Sequence, residues 1–200
     1  MPRTVDPQLN ERRRRQILEA ATRCVIRRGF HQTSMQEICA EAEMSSGGLY
    51  RYFDSKEAII AAIAEDERAE NAAIIHELLR TDNLVKTLQG IMRKMLKVFA
   101  NTDYGRLGVE VLAEASRNPK VAAVFSHNET ELKAALVTAL KKAKRAGQID
   151  PGLTLRAIAE LLLALIDGLS TRTLVDPGCK PHQLDKATRV MITRLLRPRA

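Results

Sequence analysis

The chain has no tryptophan, three tyrosines and four phenylalanines in 200 residues. Any folded core must therefore be built from aliphatic side chains. Cysteine occurs three times, at Cys24, Cys39 and Cys179, with no CxxC pair and no zinc-ligand spacing. That excludes a disulfide framework and reads as reduced packing residues, with a redox-sensing thiol as the alternative. Proline and glycine are sparse, at 7 and 10 residues, which argues against a turn-rich all-β chain or a low-complexity one. Long hydrophobic runs are missing too. The longest, residues 157–166, includes Glu160 and falls well short of the roughly 20 residues that span a bilayer. No apolar stretch follows the basic amino end, so no secretory signal is expected and the reading is cytoplasmic. GxGxxG, P-loop, HExxH and GxSxG patterns are all absent, which removes the common enzyme fingerprints. Glu110 and Glu114 share a helical face, but no ExxH motif accompanies them. No cofactor or metal is implied.

What is present is helix-forming. Hydrophobic residues make up 45% of the chain, and Ala, Leu, Ile, Arg, Lys and Glu dominate, which favours an all-α fold. No period-2 alternation and no fixed repeat interrupts this pattern. The net charge is +8, compatible with a polyanionic partner. The charge is not concentrated at one end, however. Residues 1–57 carry +2 and the remainder +6. Local clusters stand out instead, at residues 12–15 and at Arg27-Arg28.

The amino-terminal third holds the most specific pattern. Residues 12–28 read as a helix with Ile17, Ala20, Ala21, Cys24 and Val25 on one stripe, stopped by Gly29. Ser34 and Glu37 have the spacing of a capping box, and Met35, Ile38, Cys39 and Ala42 line the buried face of a second helix. Only Glu43-Met44 separates it from Ser45, a good N-cap for a third. The turn lacks the glycine often found there. In residues 45–53, Leu49 and Phe53 lie four apart and can anchor one face. Gly47 and Arg51 then fall opposite, flanked by Gly48 and Tyr50. Small, hydroxyl and arginine groups facing outward from a short helix suit a major groove. Two short helices joined by a tight turn form a helix-turn-helix.

Residues 12–60 resemble the DNA-binding domain of the TetR family of bacterial one-component regulators. The match runs through Gly29-Phe30, Thr33-Ser34-Met35, Ile38-Cys39, Ala42, Met44-Ser45, Gly47, Leu49-Tyr50, Tyr52-Phe53 and Ser55-Lys56-Glu57. The rest of the chain resembles the family in layout only. Pro2, Pro7 and Asn10 mark residues 1–10 as a flexible arm. The resemblance implies an all-α protein of about nine helices, with a helix-turn-helix domain at 11–57 and a helical ligand-binding and dimerisation domain at 58–200. It implies double-stranded DNA, a second copy of the chain and a small-molecule effector as partners, and a repressor as the default activity. By position, Thr33, Ser34, Tyr50, Tyr52 and Lys56 would meet the phosphate backbone. Ser46, Gly47, Gly48 and Arg51 would face base edges, with Ser45 completing the DNA-facing set. Gly48 departs from the family, in which many members carry a side chain at that step. A helical protein-binding adaptor and a small all-α enzyme are the competing readings.

The body reads as a series of amphipathic helices. Residues 55–80 form a long one with a polar middle at 65–70. Residues 155–169 are apolar nearly all round, more than one core can bury. A two-fold partner would supply the second surface, together with residues 183–196. Leu161, Leu162, Leu165, Leu169, Leu184, Val190, Met191 and Leu195 are the interface candidates. A ligand pocket is implied by the resemblance alone. Met92, Met95, Phe99, Glu110, Glu114, Phe125, Asp167 and Thr171 are its candidate lining, the methionines being adaptable.

Overall fold

The computed structural model describes residues 7–176 and 178–199, apart from the side chains of residues 7 and 67–70. Among the described residues there are nine α-helices and no strand. They are α1 (Pro7–Arg28), α2 (Met35–Glu41), α3 (Ser46–Tyr50), α4 (Lys56–Arg80), α5 (Leu84–Val98), α6 (Thr102–Ala115), α7 (Pro119–Arg145), α8 (Leu155–Val175) and α9 (Asp185–Leu196). A 3-10 turn at Pro181–Leu184 leads into α9.

The expected arm is corrected in part. Residues 1–6 lie outside the described residues, but 7–10 are the first turn of α1 rather than flexible chain. Proline is tolerated at the first helical position, where its missing N–H has no partner to lose. The expected division at 57/58 also shifts. One compact unit takes in the chain up to Glu67 together with Leu107–Phe125; the other comprises Arg68–Arg106 and the residues from Ser126 onward. Chain order alone could not show this, because the second segment of the first unit lies far along the sequence.

The first unit, here called the head, has an aliphatic core. Ile17, Leu18, Val25, Phe30, Ile38, Leu49, Ile59 and Ile60 form it with Val111 and Val121. The last two come from the end of α6 and the start of α7. The second unit packs Leu84, Leu88, Ile91, Met92, Leu96, Phe99, Leu140, Ile158, Leu162, Ile192 and Leu196. Its carboxyl end is pinned: the Asp150 N–H donates to the Leu196 and Arg197 carbonyls, and the Arg199 N–H donates to the Gln148 carbonyl.

The tight turn between α2 and α3 is made without glycine. Glu43 adopts a left-handed backbone, with φ 52°, which costs an L-residue with a side chain about 1–2 kcal/mol. Glu43→Gly should therefore stabilise the protein by about 1 kcal/mol, or about 2–4 °C in Tm. Calorimetry giving an unchanged or lower Tm would show that the turn is not strained.

Candidate nucleic-acid interface

The reading element is assembled from local rules. Ser34 accepts a hydrogen bond from the Glu37 N–H (3.2 Å), and the Ser34 N–H donates to Glu37 Oε2 (2.9 Å), so the expected capping box is formed. Ser45 caps α3 by accepting from the Gly48 N–H at 3.2 Å. The helix is only five residues long, and Arg51 is already its C-cap. Two adjacent glycines offer little propensity to extend it. Tertiary packing holds it instead: Leu49 is fully buried and Phe53 nearly so.

The opposite face stands in solvent. Ser45, Ser46, Gly47 and Arg51 are exposed, and Tyr50 keeps 52% of its surface accessible. A Cβ added at Gly47 would meet nothing within 4 Å, so nothing in the protein requires a glycine there. Its bare backbone is available for close approach by an outside group. Gly48 differs. A Cβ there would come within 3.1 Å of Ser45 Oγ, crowding the cap that starts the helix. That contact gives a local reason for the departure at this step. Arg51 is exposed but folded back. Its Nη2 donates to the Tyr52 hydroxyl at 3.0 Å, and its guanidinium carbon lies 5.1 Å from that ring's centre.

Three expected phosphate contacts are redirected by the structure. Thr33 is 2% exposed, and its hydroxyl donates to the Gly29 carbonyl at 2.9 Å. It closes the α1–α2 loop. The Ser34 hydroxyl donates to Glu37 Oε2 at 3.1 Å, so its proton is already committed. Lys56 Nζ donates to the carbonyls of Phe30 (2.7 Å), Thr33 (2.9 Å) and His31 (3.3 Å) and lies over the Phe30 ring. All three ammonium protons are used inside the head.

These residues surround a loop that sequence reasoning left undescribed. Gly29 has φ 81°, the left-handed value that ends α1 and favours glycine. Glu110, on α6, accepts from the Phe30 N–H at 2.8 Å. It was expected in a pocket; it instead anchors the α1–α2 loop. No local signal could have shown this, since the two residues are eighty positions apart. Surface carboxylates brace the helices around the loop. Glu41 receives Arg23 and Arg27, and Glu37 receives Arg28. The Arg23 and Arg27 hydrogen bonds hold the Glu41 pKa below the ordinary value; for Glu37 the Ser34 N–H does so first, then Arg28. A depressed carboxylate stabilises the fold above the usual glutamate range, about pH 4.3, and that contribution is lost as pH falls through the lowered value.

Both the sequence and the fold are similar to those of known proteins. Residues 17–63 match the family described as bacterial regulatory proteins, tetR family, and residues 85–197 match the BetI-type transcriptional repressor C-terminal family. The chain belongs to the TetR family. The HTH-type transcriptional regulator UidR of Escherichia coli K12 is 28% identical over 187 residues, covering 92% of each chain. The solved structure of GusR from Salmonella enterica is 31% identical, with a TM-score of 0.79 over 97% of this chain and 98% of that one. A regulator from Saccharomonospora viridis, solved in complex with choline, shares the fold (TM-score 0.78, 20% identity, 95% and 100% covered). TetR-family regulators bind DNA and small-molecule effectors and act as dimers. This member is a DNA-binding transcriptional regulator, and its relatives are regulators rather than enzymes.

The expected TetR-family pocket set is divided by the structure. Glu110, Glu114 and Phe125 belong to the head, whereas Met92, Met95, Phe99, Asp167 and Thr171 belong to the second unit. Glu114 is 7% exposed and accepts from the Asn118 amide at 3.1 Å, and Phe125 packs on the head core. Met92 and Phe99 are each 3% exposed and belong to the second core. Met95 is half-buried beside them. Asp167 is exposed, although partial desolvation by its surroundings, followed by the Glu129 carboxylate, raises its pKa. The Thr171 hydroxyl donates to the Asp167 carbonyl, a bond within α8. No described helix is long and apolar enough to cross a membrane.

Proposed function

We propose that the chain is a cytoplasmic homodimeric repressor that holds a near-palindromic operator and is released from it by a small-molecule effector. The observation that carries this reading is the two-sidedness of α3. Leu49 is sealed in the head core while Ser46, Gly47 and Tyr50 stand outside it. Two such helices, one per subunit, would enter successive major grooves about 34–36 Å apart. Ser46 and the bare Gly47 backbone would meet base edges. Tyr50, with Tyr52 and the Arg51 it holds, would meet the backbone and flanking bases. An effector that binds one spacing of the two heads more tightly would shift DNA affinity by that difference.

Dimerisation is supported by apolar surface on α8 and α9. Leu161 is 53% exposed and Val190 42%. Val190, Met191 and Leu195 line an open groove along α9 with Gln183, Lys186, Ala187 and Arg194. Leu165, Leu169 and Leu184 are half-buried and border the same core. Leu162, 4% exposed, stays within its own subunit's core and leaves the interface set. A charge in an apolar interface must be desolvated without a partner. Leu161→Glu combined with Val190→Glu is therefore expected to give a folded monomer by light scattering, with operator binding lost. A dimer that persists would move the interface elsewhere.

The direct test is binding to the DNA beside the chain's own coding region, measured by fluorescence anisotropy against salt. The wild type should select one near-palindromic segment. Tyr50→Ala should weaken binding across sequences and flatten the salt dependence. A wild-type protein that prefers no segment of that DNA would overturn the repressor reading.

A further inference from the structure

We infer that the amino-terminal turns of α1 form a second DNA-contacting element, with Arg13 as a phosphate ligand beside the reading helix. The inference rests on the DNA-binding reading and adds to it a surface outside the helix-turn-helix.

Four consecutive arginines, Arg12 to Arg15, occupy the second and third turns of α1, and no acidic residue sits in its first turn. Positive charge near a helix N-terminus opposes the macrodipole. These residues therefore work against the helix that carries them, and a polyanion is the kind of partner that reverses the sign.

The structure distinguishes among the four. Arg13 Nη1 donates to Gln16 Oε1 at 2.8 Å, and Gln16 Nε2 donates to the Ala42 carbonyl at 2.7 Å. Ala42 is the C-cap of α2, three residues before the Ser45 cap of α3. A two-bond strut thus ties the Arg13 guanidinium to the turn that delivers the reading helix. Arg14 reaches the other end of that helix, with its guanidinium carbon 4.9 Å from the centre of the Phe53 ring and a long 3.9 Å approach to Glu65. Arg13 is thereby tied to the turn before α3, and Arg14 to Phe53 just after it. Arg12 and Arg15 are exposed on the side of α1 away from Ile17, Leu18 and Ala21. Arg13 is exposed as well, with one of its five N–H donors used by Gln16 and the others available for a phosphate oxygen.

A duplex whose major groove receives α3 presents its phosphates on both walls of that groove, one charge per about 1.7 Å of axis. The Arg13 strut places a cation at one such wall. Its contribution would be sequence-independent, since phosphate contacts position a protein without reading bases.

The test compares Arg13→Gln with Arg12→Gln, which removes the same charge from the neighbouring position, about 100° around the helix. Binding to a mixed-sequence duplex and to the upstream region is measured over a salt series. Arg13→Gln should reduce the slope of log K against log salt by about 1.8 per dimer, from about 0.9 per phosphate contact. It should weaken both duplexes by the same factor. Arg13→Lys should restore the slope, and Arg12→Gln should leave it nearly unchanged. Thermal unfolding should be the same for all three variants. Equal loss in Arg12→Gln and Arg13→Gln would reduce the effect to bulk charge and overturn the assignment, as would an unchanged slope in Arg13→Gln. A wild-type protein that binds neither duplex would overturn the DNA-binding reading itself, and this inference with it.

Discussion

Leu49→Ala should abolish selective DNA binding and lower the stability of the head by about 3 kcal/mol, within the 2–5 kcal/mol typical of large-to-small changes in a core. Leu49 is fully buried and contributes its side chain to the head core. It sits on a helix of five residues, two of them glycine. Such a segment has no intrinsic helical stability to fall back on. Its geometry is maintained by one cap and by the anchors Leu49 and Phe53. Hydrogen exchange should report it directly. The amides of α3 should lose protection in the variant, while those of α5 and α9, in the second unit, keep theirs. Ser46→Ala supplies the contrast, because it removes an exposed hydroxyl and should alter DNA affinity with stability unchanged. Intact α3 protection in Leu49→Ala would mean that the cap alone suffices to hold the helix.

Lys56→Met is expected to cost the head about 2–4 kcal/mol, since hydrogen bonds from a charged group contribute about 1.5–3 kcal/mol each and three share one ammonium here. The change deletes the donor to the Phe30, His31 and Thr33 carbonyls and the cation above the Phe30 ring. Methionine preserves most of the stem, so the loss is of the charge and its bonds. A phosphate ligand would behave otherwise: its removal would flatten the salt dependence of DNA binding and leave the melting temperature in place. Denaturant unfolding and a salt series on the same variant separate the two roles. A flattened slope with unchanged unfolding would return Lys56 to the DNA interface and contradict the loop-closing role.

Taken together, these variants treat the α1–α2 loop as a built part of the head. Gly29 turns the chain, Thr33 closes it, Lys56 collects its carbonyls, and Glu110 takes the Phe30 N–H from α6. The loop's polar groups are satisfied from four directions, as buried backbone requires.

The helix-turn-helix was legible in the amino-acid sequence because its causes are local. Caps at Ser34 and Ser45, the stop at Gly29 and the apolar spacing of α1 and α2 each depend on residues within a turn or two. The anchoring of α3 by Leu49 and Phe53 follows from a four-residue spacing and was equally readable. Gly47 and Tyr50 were legible as outward-facing on the same grounds.

Tertiary structure decided what the polar side chains do. Thr33, Lys56 and Glu110 look like free hydroxyl, cation and anion in a one-dimensional reading, but each is consumed by a backbone group 4, 26 and 80 residues away, respectively, in its clearest bond. Which segments share a core was also decided there, for Leu107–Phe125 joins the head although it follows the 39 residues Arg68–Arg106 of the other unit. The physical reason is range. Helix formation and amphipathicity are set by neighbours along the chain, whereas a polar atom's partner is set by whichever backbone the packed fold brings within 3 Å of it.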